Sequence, residues 1–204
     1  MTILVRNHGR RSLAALASAA VCVALVVAPR AAHAGPMIGV DGEAVVPLSA
    51  PTGDRDSLGG GAGFKVRLGY QFHIPLLRIT PEVGYGFDRF FGDAGGDSSA
   101  YGWDMQRMFA GGRIGLGEII VPSAYAHAGF GWRTTPDPAV PEGSGLAFDA
   151  GLALDIHLIP HVGFGAHAEY ASIGAGGGTS PEWLAFGLHI EIDFGRTDKP
   201  ANRR

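Results

Sequence analysis

The chain has 204 residues, of which 46% are hydrophobic, with one cysteine and a formal net charge of −3 at pH 7. This length suits one domain besides an export segment, and the single cysteine excludes a framework of disulfides within the chain. The acidic balance disfavours a nucleic-acid-binding protein.

Residues 1–34 have the order of a cleaved secretory signal. Arginines give a basic start, residues 12–28 form an apolar run, and Ala32 and Ala34 provide an A-x-A cleavage site before Gly35. Cleavage leaves 170 residues with a charge of −7, because four of the 16 basic residues and none of the 19 acidic ones leave. The cysteine also leaves. An uncleaved anchor and a lipoprotein are the alternatives.

Eight later segments place apolar and polar residues in strict alternation, which is typical of β-strands with one apolar and one polar face. The clearest is FKVRLGYQFH, residues 64–73, in which Leu68 and its apolar neighbours alternate with Lys65, Arg67 and other polar residues. The eight predicted strands cover residues 38–46, 64–73, 78–88, 107–116, 121–132, 146–157, 161–170 and 183–194. Their lengths of nine to twelve residues suit tilted membrane strands, which need about 9–11.

The connections between these strands are alternately short and long. The short links are IPLL, GEII and LIP, and the long links are rich in Gly, Pro, Ser and Asp, as in SAPTGDRDSLGGG. An up-and-down membrane barrel has this asymmetry, with short turns on the periplasmic side and long loops outside.

The polar face carries charges of both signs, histidines and many glycines. Glycine weakens an exposed strand but makes room for large side chains inside a narrow eight-stranded barrel. We therefore predict that the charged face lines the lumen and the apolar face meets lipid, with aromatic residues near both rims. The predicted lumen charge network consists of Asp41, Glu43, Lys65, Arg67, Glu82, Arg107, Arg113, Asp149, Asp155, Glu169 and Glu191. The predicted lumen histidines are His73, His127, His157, His161, His167 and His189.

With these features the chain resembles the small eight-stranded outer-membrane barrels, the OmpA-like or opacity-type family. The resemblance spans residues 36–194 and includes a last strand that ends in an aromatic residue, HIEIDF. It implies an all-β, antiparallel, up-and-down transmembrane β-barrel of eight strands over residues 35–195, followed by a short polar tail, residues 196–204. It also implies an outer-membrane location, a monomer in contact with lipid, and insertion machinery and periplasmic chaperones as partners during biogenesis.

The function predicted from these features is structural, or binding through the long outer loops, whose extracellular partner the sequence does not specify. The possible loop contacts are Phe90, Phe91, Tyr101 and Trp103, which alternatively extend the outer aromatic girdle. A narrow pore for small solutes, a lipid-modifying enzyme, and a soluble ligand-binding barrel with reversed faces are the other hypotheses.

No catalytic residue, cofactor or metal site is predicted. His73, His157 and His161 lie near one rim, but no H-x-H spacing occurs in any strand, which favours hydrogen-bonded lumen roles over metal binding. The mature serines lie mostly in the long loops, and none is placed near a histidine on the lipid-facing side of a strand, which disfavours catalysis.

Overall fold

The computed structural model describes residues 33–49, 58–74, 76–92, 102–134, 142–159, 161–174 and 180–195. The predicted signal up to residue 32, the tail 196–204 and Tyr101 lie outside the described residues. His33 and Ala34, which precede the predicted cleavage site, are the first residues of the first strand.

The described chain forms eight strands that pair in chain order, all antiparallel, and the first strand also pairs with the last to close a barrel. The strands are β1 His33–Ser49, β2 Leu58–Ile74, β3 Leu77–Gly92, β4 Trp103–Leu116, β5 Ile120–Thr134, β6 Gly143–Ile159, β7 Val162–Ile173 and β8 Glu182–Asp193. This architecture confirms the predicted fold class. The described part of the chain contains no helix long and apolar enough to cross a membrane.

The strands are 12–17 residues long, so the predicted lengths were too short. The error lies mainly at the long-loop end. There the glycine-rich residues 58–63, which have no alternating pattern to announce a strand, still pair with β3 as part of β2. Backbone pairing in a closed barrel does not require side chains, so glycine segments can extend the ladder.

Short and long connections alternate around the barrel, as predicted. The two short turns after β2 and β6 each place a residue other than glycine in the left-handed region, with φ of 64° at Leu76 and 66° at His161. Gly117 has φ of 116° in the third short turn. A left-handed conformation is costly for residues with a Cβ, so Leu76 and His161 carry backbone strain.

Residues 64–73 show how the two faces of a strand are placed in the barrel. Arg67 is 1% exposed inside the barrel, and its neighbour Leu68 is 52% exposed outside. Glycines make the room for the buried bases: a Cβ on Gly39 would lie 2.9 Å from Nη2 of Arg67, and one on Gly86 would lie 2.9 Å from Nε of Arg107. The interior is therefore charged and the exterior apolar, the reverse of a soluble barrel.

Candidate functional site

All eleven predicted network residues lie inside the barrel and are buried. Nearest the long-loop end, Nζ of Lys65 lies 2.5 Å from Glu169 and 3.2 Å from Glu43. Arg107 reaches the same two carboxylates, at 2.9 Å from Glu169 and 3.4 Å from Glu43, and lies 3.3 Å from Asp88. Two bases thus share carboxylates from β1, β3 and β7 across the width of the lumen.

A second group of charges lies nearer the short turns and centres on Arg67. Its guanidinium donates to Asp41 at 2.8 and 2.9 Å and to Glu82 at 3.0 Å. Glu82 is also 2.8 Å from Nε2 of His127, whose Nδ1 lies 2.5 Å from Asp149. Both nitrogens of this imidazole face carboxylate oxygens, an arrangement that suits a ring carrying two protons.

A third group links β4, β5, β6 and β8. Arg113 lies 3.5 Å from Asp155, the hydroxyl of Ser123 donates to Asp155 at 3.1 Å, and His189 contacts the same carboxylate at 2.5 Å. Nucleophilic catalysis needs the imidazole between the hydroxyl and the acid. Here the acid lies between the other two, so these three side chains do not form a catalytic triad.

The predicted lumen histidines do not all point inward. His127, His157, His167 and His189 are buried, and His167 lies 3.0 Å from Glu43. His161 is exposed in the turn after β6, where its Nδ1 lies 2.9 Å from the carbonyl oxygen of Asp193. The prediction for His161 was wrong because the left-handed turn interrupts the alternation of faces.

His73 lies at the short-turn rim, where its side chain is 21% exposed and its Nε2 is 3.6 Å from Asp193. Among the described residues, the group of three or more possible metal donors lying within 4.8 Å of one another is Asp155, His189 and Glu191. The three histidines that the sequence placed at one rim do not form such a group.

An apolar cluster lies in the lumen beyond the charge network, toward the long loops. Phe90 and Trp183 pack edge to face with ring centroids 5.8 Å apart, and the guanidinium of Arg107 lies 5.1 Å from the Trp183 ring. We call this cluster the apolar cap. Its members are Val45, Phe90, Trp103, Met105, Ala147, Ala171, Ile173, Trp183 and Ala185.

The apolar cap corrects the prediction that Phe90 and Trp103 are exposed loop contacts. Both lie in strands with lumen-facing positions, and they are 1% and 5% exposed. Phe91, the next residue, faces outward and is 55% exposed. The sequence analysis missed the cap because it treated the inner face as wholly polar. The alternation of inward and outward residues along the strands nevertheless places Phe90, Trp103 and Trp183 on the inner face.

The outer face carries an aromatic patch on its long-loop half. Phe64 contacts Tyr85 and Phe87 at centroid distances of 6.3 and 5.7 Å, and Tyr85 contacts Trp132 at 6.4 Å. The hydroxyl of Tyr85 donates to Gln106 at 2.7 Å. Aromatic side chains with a polar tip are typical of the membrane–water interface.

Comparisons with solved structures find the same fold. Neisserial surface protein A aligns with 79% of this chain and 99% of its own, with 14% identity and a TM-score of 0.55. The N-terminal β-barrel domain of Pseudomonas aeruginosa OprF aligns with 78% of this chain and 97% of its own, with 13% identity and a TM-score of 0.46. The outer membrane enzyme PagL aligns with 74% of this chain and 98% of its own, with 15% identity and a TM-score of 0.44.

No protein-family model matches the chain, and no curated protein matches it. The chain has the fold of a small, closed, all-antiparallel eight-stranded β-barrel with buried charges and an apolar exterior, the fold also seen in Neisserial surface protein A. A fold of this kind does not by itself assign an activity.

Proposed function

We propose that this protein is a monomeric outer-membrane barrel that does not conduct, and that it holds its four long connections outside the cell as a binding or structural surface. The contacts made by the connections carry the function in this proposal, and the barrel is their anchor. Lipid surrounds the apolar exterior, and export and insertion require a signal peptide and the insertion machinery.

The packed lumen is the observation that carries the proposal. The side chains of Lys65, Arg107, Glu43 and Glu169 are at most 2% exposed, so the lumen is filled at the level of this network. The apolar cap adds a second obstruction, with Trp183 1% exposed. A pore for small solutes needs a wet path past both layers, and these contacts favour a closed barrel over that alternative.

The composition of the long connections narrows the class of partner. Residues 50–57, 93–101, 135–141 and 175–179 together contain five aspartates and one arginine. Acidic connections attract basic surfaces and repel polyanions. We therefore propose a partner with a basic or neutral surface, such as a protein, rather than a sulfated or phosphorylated polymer. Tyr101 and Phe91 are the aromatic residues at this rim that remain proposed contacts.

Planar-bilayer recording tests the closed barrel. The purified protein is expected to give no stable unitary steps, and porin-sized steps would overturn this part of the proposal. The appearance of flickering currents after Trp183→Ala, with no current in the unchanged protein, would support a lumen closed by the cap.

Binding by cells that display the protein tests the surface role. The probes are fluorescent polylysine and fluorescent heparin, compared with a variant in which the five loop aspartates are asparagines. We expect polylysine to bind the unchanged protein more strongly than the variant, and the signal to fall with salt. Equal binding to both proteins, or preferential heparin binding, would contradict the proposed class of partner.

A further inference from the structure

Arg133 is a buried base that has no acid beside it. It lies on the inner face of β5, one residue before the strand ends at Thr134, and it is 8% exposed. Its Nε and Nη1 are buried and have no hydrogen-bond partner. Among the described residues, no aspartate or glutamate forms an ion pair with it. The described part of the chain therefore leaves the charge of this guanidinium uncompensated.

The other five buried lysines and arginines of the described residues each have an acceptor in the barrel. Four of them form ion pairs with carboxylates at 2.5–3.5 Å. The fifth, Arg78, donates to the carbonyl oxygen of Glu118 at 2.5 Å. A buried charge is normally paired, because its removal from water is costly. Arg133 is the exception in this set, which indicates a place for an anion that comes from outside the chain.

Trp103 and Gly143 position the guanidinium at the long-loop mouth of the lumen. Its carbon lies 5.7 Å from the centroid of the Trp103 ring, which is close enough for a cation–π contact. A Cβ on Gly143 would lie 2.6 Å from Nε and 2.9 Å from Nη2 of Arg133, so the guanidinium fits against β6 only because residue 143 has no side chain. On the deeper side, Ile173 of the apolar cap fills the space over Gly131, where a Cβ would lie 2.8 Å from its Cδ1. The guanidinium thus lies at the edge of the cap that is nearest the long connections.

The charges at this mouth favour a carboxylate over a more highly charged anion. A guanidinium presents its N–H groups in the geometry that carboxylates and phosphates accept. A carboxylate carries one negative charge, which matches the single unpaired charge of Arg133, whereas a phosphate dianion would leave an excess charge in a buried place. The five aspartates of the long connections also repel an anion more strongly as its charge increases.

We propose that the long-loop mouth of the barrel binds one small organic carboxylate through Arg133, beside the ring of Trp103. The carboxylate oxygens accept hydrogen bonds from the guanidinium and supply the negative charge that the described chain does not provide. Trp103 holds the guanidinium in place from the other side, so the base is positioned before the ligand arrives. This preorganisation lowers the entropy cost of binding.

The apolar cap determines what happens to the bound carboxylate. Phe90 and Trp183 are each 1% exposed in the lumen, so a carboxylate that enters from the external medium stays at the mouth and does not cross the barrel. The site therefore captures a solute and does not transport it. It does not depend on which macromolecule the long connections bind, so failure of either proposal leaves the other in place.

Titration of sodium acetate into the purified protein, folded in detergent micelles, tests the proposal. The readout is the indole N–H signal of Trp103 in proton–nitrogen correlation NMR spectra, with sodium chloride at equal ionic strength as the reference. We expect a shift that saturates with acetate, and acetate binding at least tenfold weaker after Arg133→Gln. Arg89→Gln is the matched control, because it removes the same charge at the long-loop end of the outer face, where Arg89 pairs with Asp104 at 2.7 Å. This control should bind acetate as the unchanged protein does.

Urea unfolding provides a second readout that remains decisive if a variant folds poorly. Because the charge of Arg133 is buried and unpaired, Arg133→Gln should unfold in chloride at the same urea concentration as the unchanged protein or a higher one. Acetate should raise the unfolding midpoint of the unchanged protein above its value in chloride, and not that of Arg133→Gln.

Four results would overturn the proposal. They are the absence of saturable acetate binding, equal weakening of binding by Arg133→Gln and Arg89→Gln, tighter binding of phosphate than of acetate, and a lower unfolding midpoint of Arg133→Gln in chloride. The last result would show that Arg133 has a partner within the chain.

Discussion

Adjacent substitutions at Arg67 and Leu68 test which way the barrel faces. Arg67 donates to Asp41 and Glu82 at 2.8–3.0 Å and is 1% exposed. Replacing it with methionine removes the charge but keeps much of the volume. Asp41 then loses its hydrogen-bonded base. Loss of one member of a buried pair costs about 3–5 kcal/mol, whereas arginine at Leu68, facing lipid, costs about 2–4 kcal/mol near the midplane.

Equilibrium unfolding by urea in lipid vesicles measures both effects, with the folded fraction read from gel migration and tryptophan fluorescence. A double-mutant cycle isolates the Arg67–Asp41 pair. The double variant Arg67→Met, Asp41→Asn should lose less free energy of unfolding than the two single variants lose together, because neither charge is left without its partner. Glu82 keeps His127 and Arg113 as partners in every variant.

The two substitutions distinguish the lumen face from the lipid face through differences in the free energy of unfolding between each variant and the unchanged protein. If Arg67→Met lowers the free energy of unfolding by less than about 1 kcal/mol and shows no coupling to Asp41, the lumen pair is not buried as described. If Leu68→Arg is tolerated in the same vesicles, the apolar face does not meet lipid. Either result would refute the reasoning.

Two other substitutions and one sequencing measurement have defined outcomes. Leu76→Gly should raise the free energy of unfolding by up to about 1 kcal/mol, because glycine accepts the left-handed backbone (φ 64°); lower stability on urea unfolding would contradict this. Trp183→Ala should lower it by about 3–5 kcal/mol, the cost of emptying a buried aromatic site, and a change below about 1 kcal/mol would mean that the cap is loosely packed. N-terminal sequencing of the exported protein should begin at Gly35, whereas recovery of Met1 would contradict cleavage.

The sequence predicts which residues enter the lumen far better than it predicts their partners. Alternation in residues 64–73 is enough to separate Arg67 from Leu68, because a strand has a period of two. The contact between Lys65 and Glu169 joins residues 104 positions apart. It depends on the stagger of eight strands around the closed barrel, and no local pattern encodes that stagger.

The other errors have local causes. His161 was assigned to the lumen by extending the alternation into a turn, where φ of 66° changes the direction of the side chain. Phe90 and Trp103 are predicted to lie in a loop because the segment FFGDAGGDSSAYGWD that contains them is rich in glycine and aspartate, although β3 includes Phe90 and β4 begins at Trp103. The H-x-E spacing of His189 and Glu191 was visible, but its partner Asp155 is brought near only by the register of β7.

The three tryptophans provide the most direct test of the central claim, that the lumen is packed and the apolar face meets lipid. Trp132 lies on the outer face, whereas Trp103 and Trp183 are 5% and 1% exposed inside the barrel. Single-tryptophan variants, with phenylalanine at the other two positions, are folded into vesicles containing brominated lipid, which quenches tryptophan on contact. The fluorescence of Trp132 should be strongly quenched and that of Trp183 should not. Quenching of Trp183 with protection of Trp132 would show that the barrel faces the opposite way.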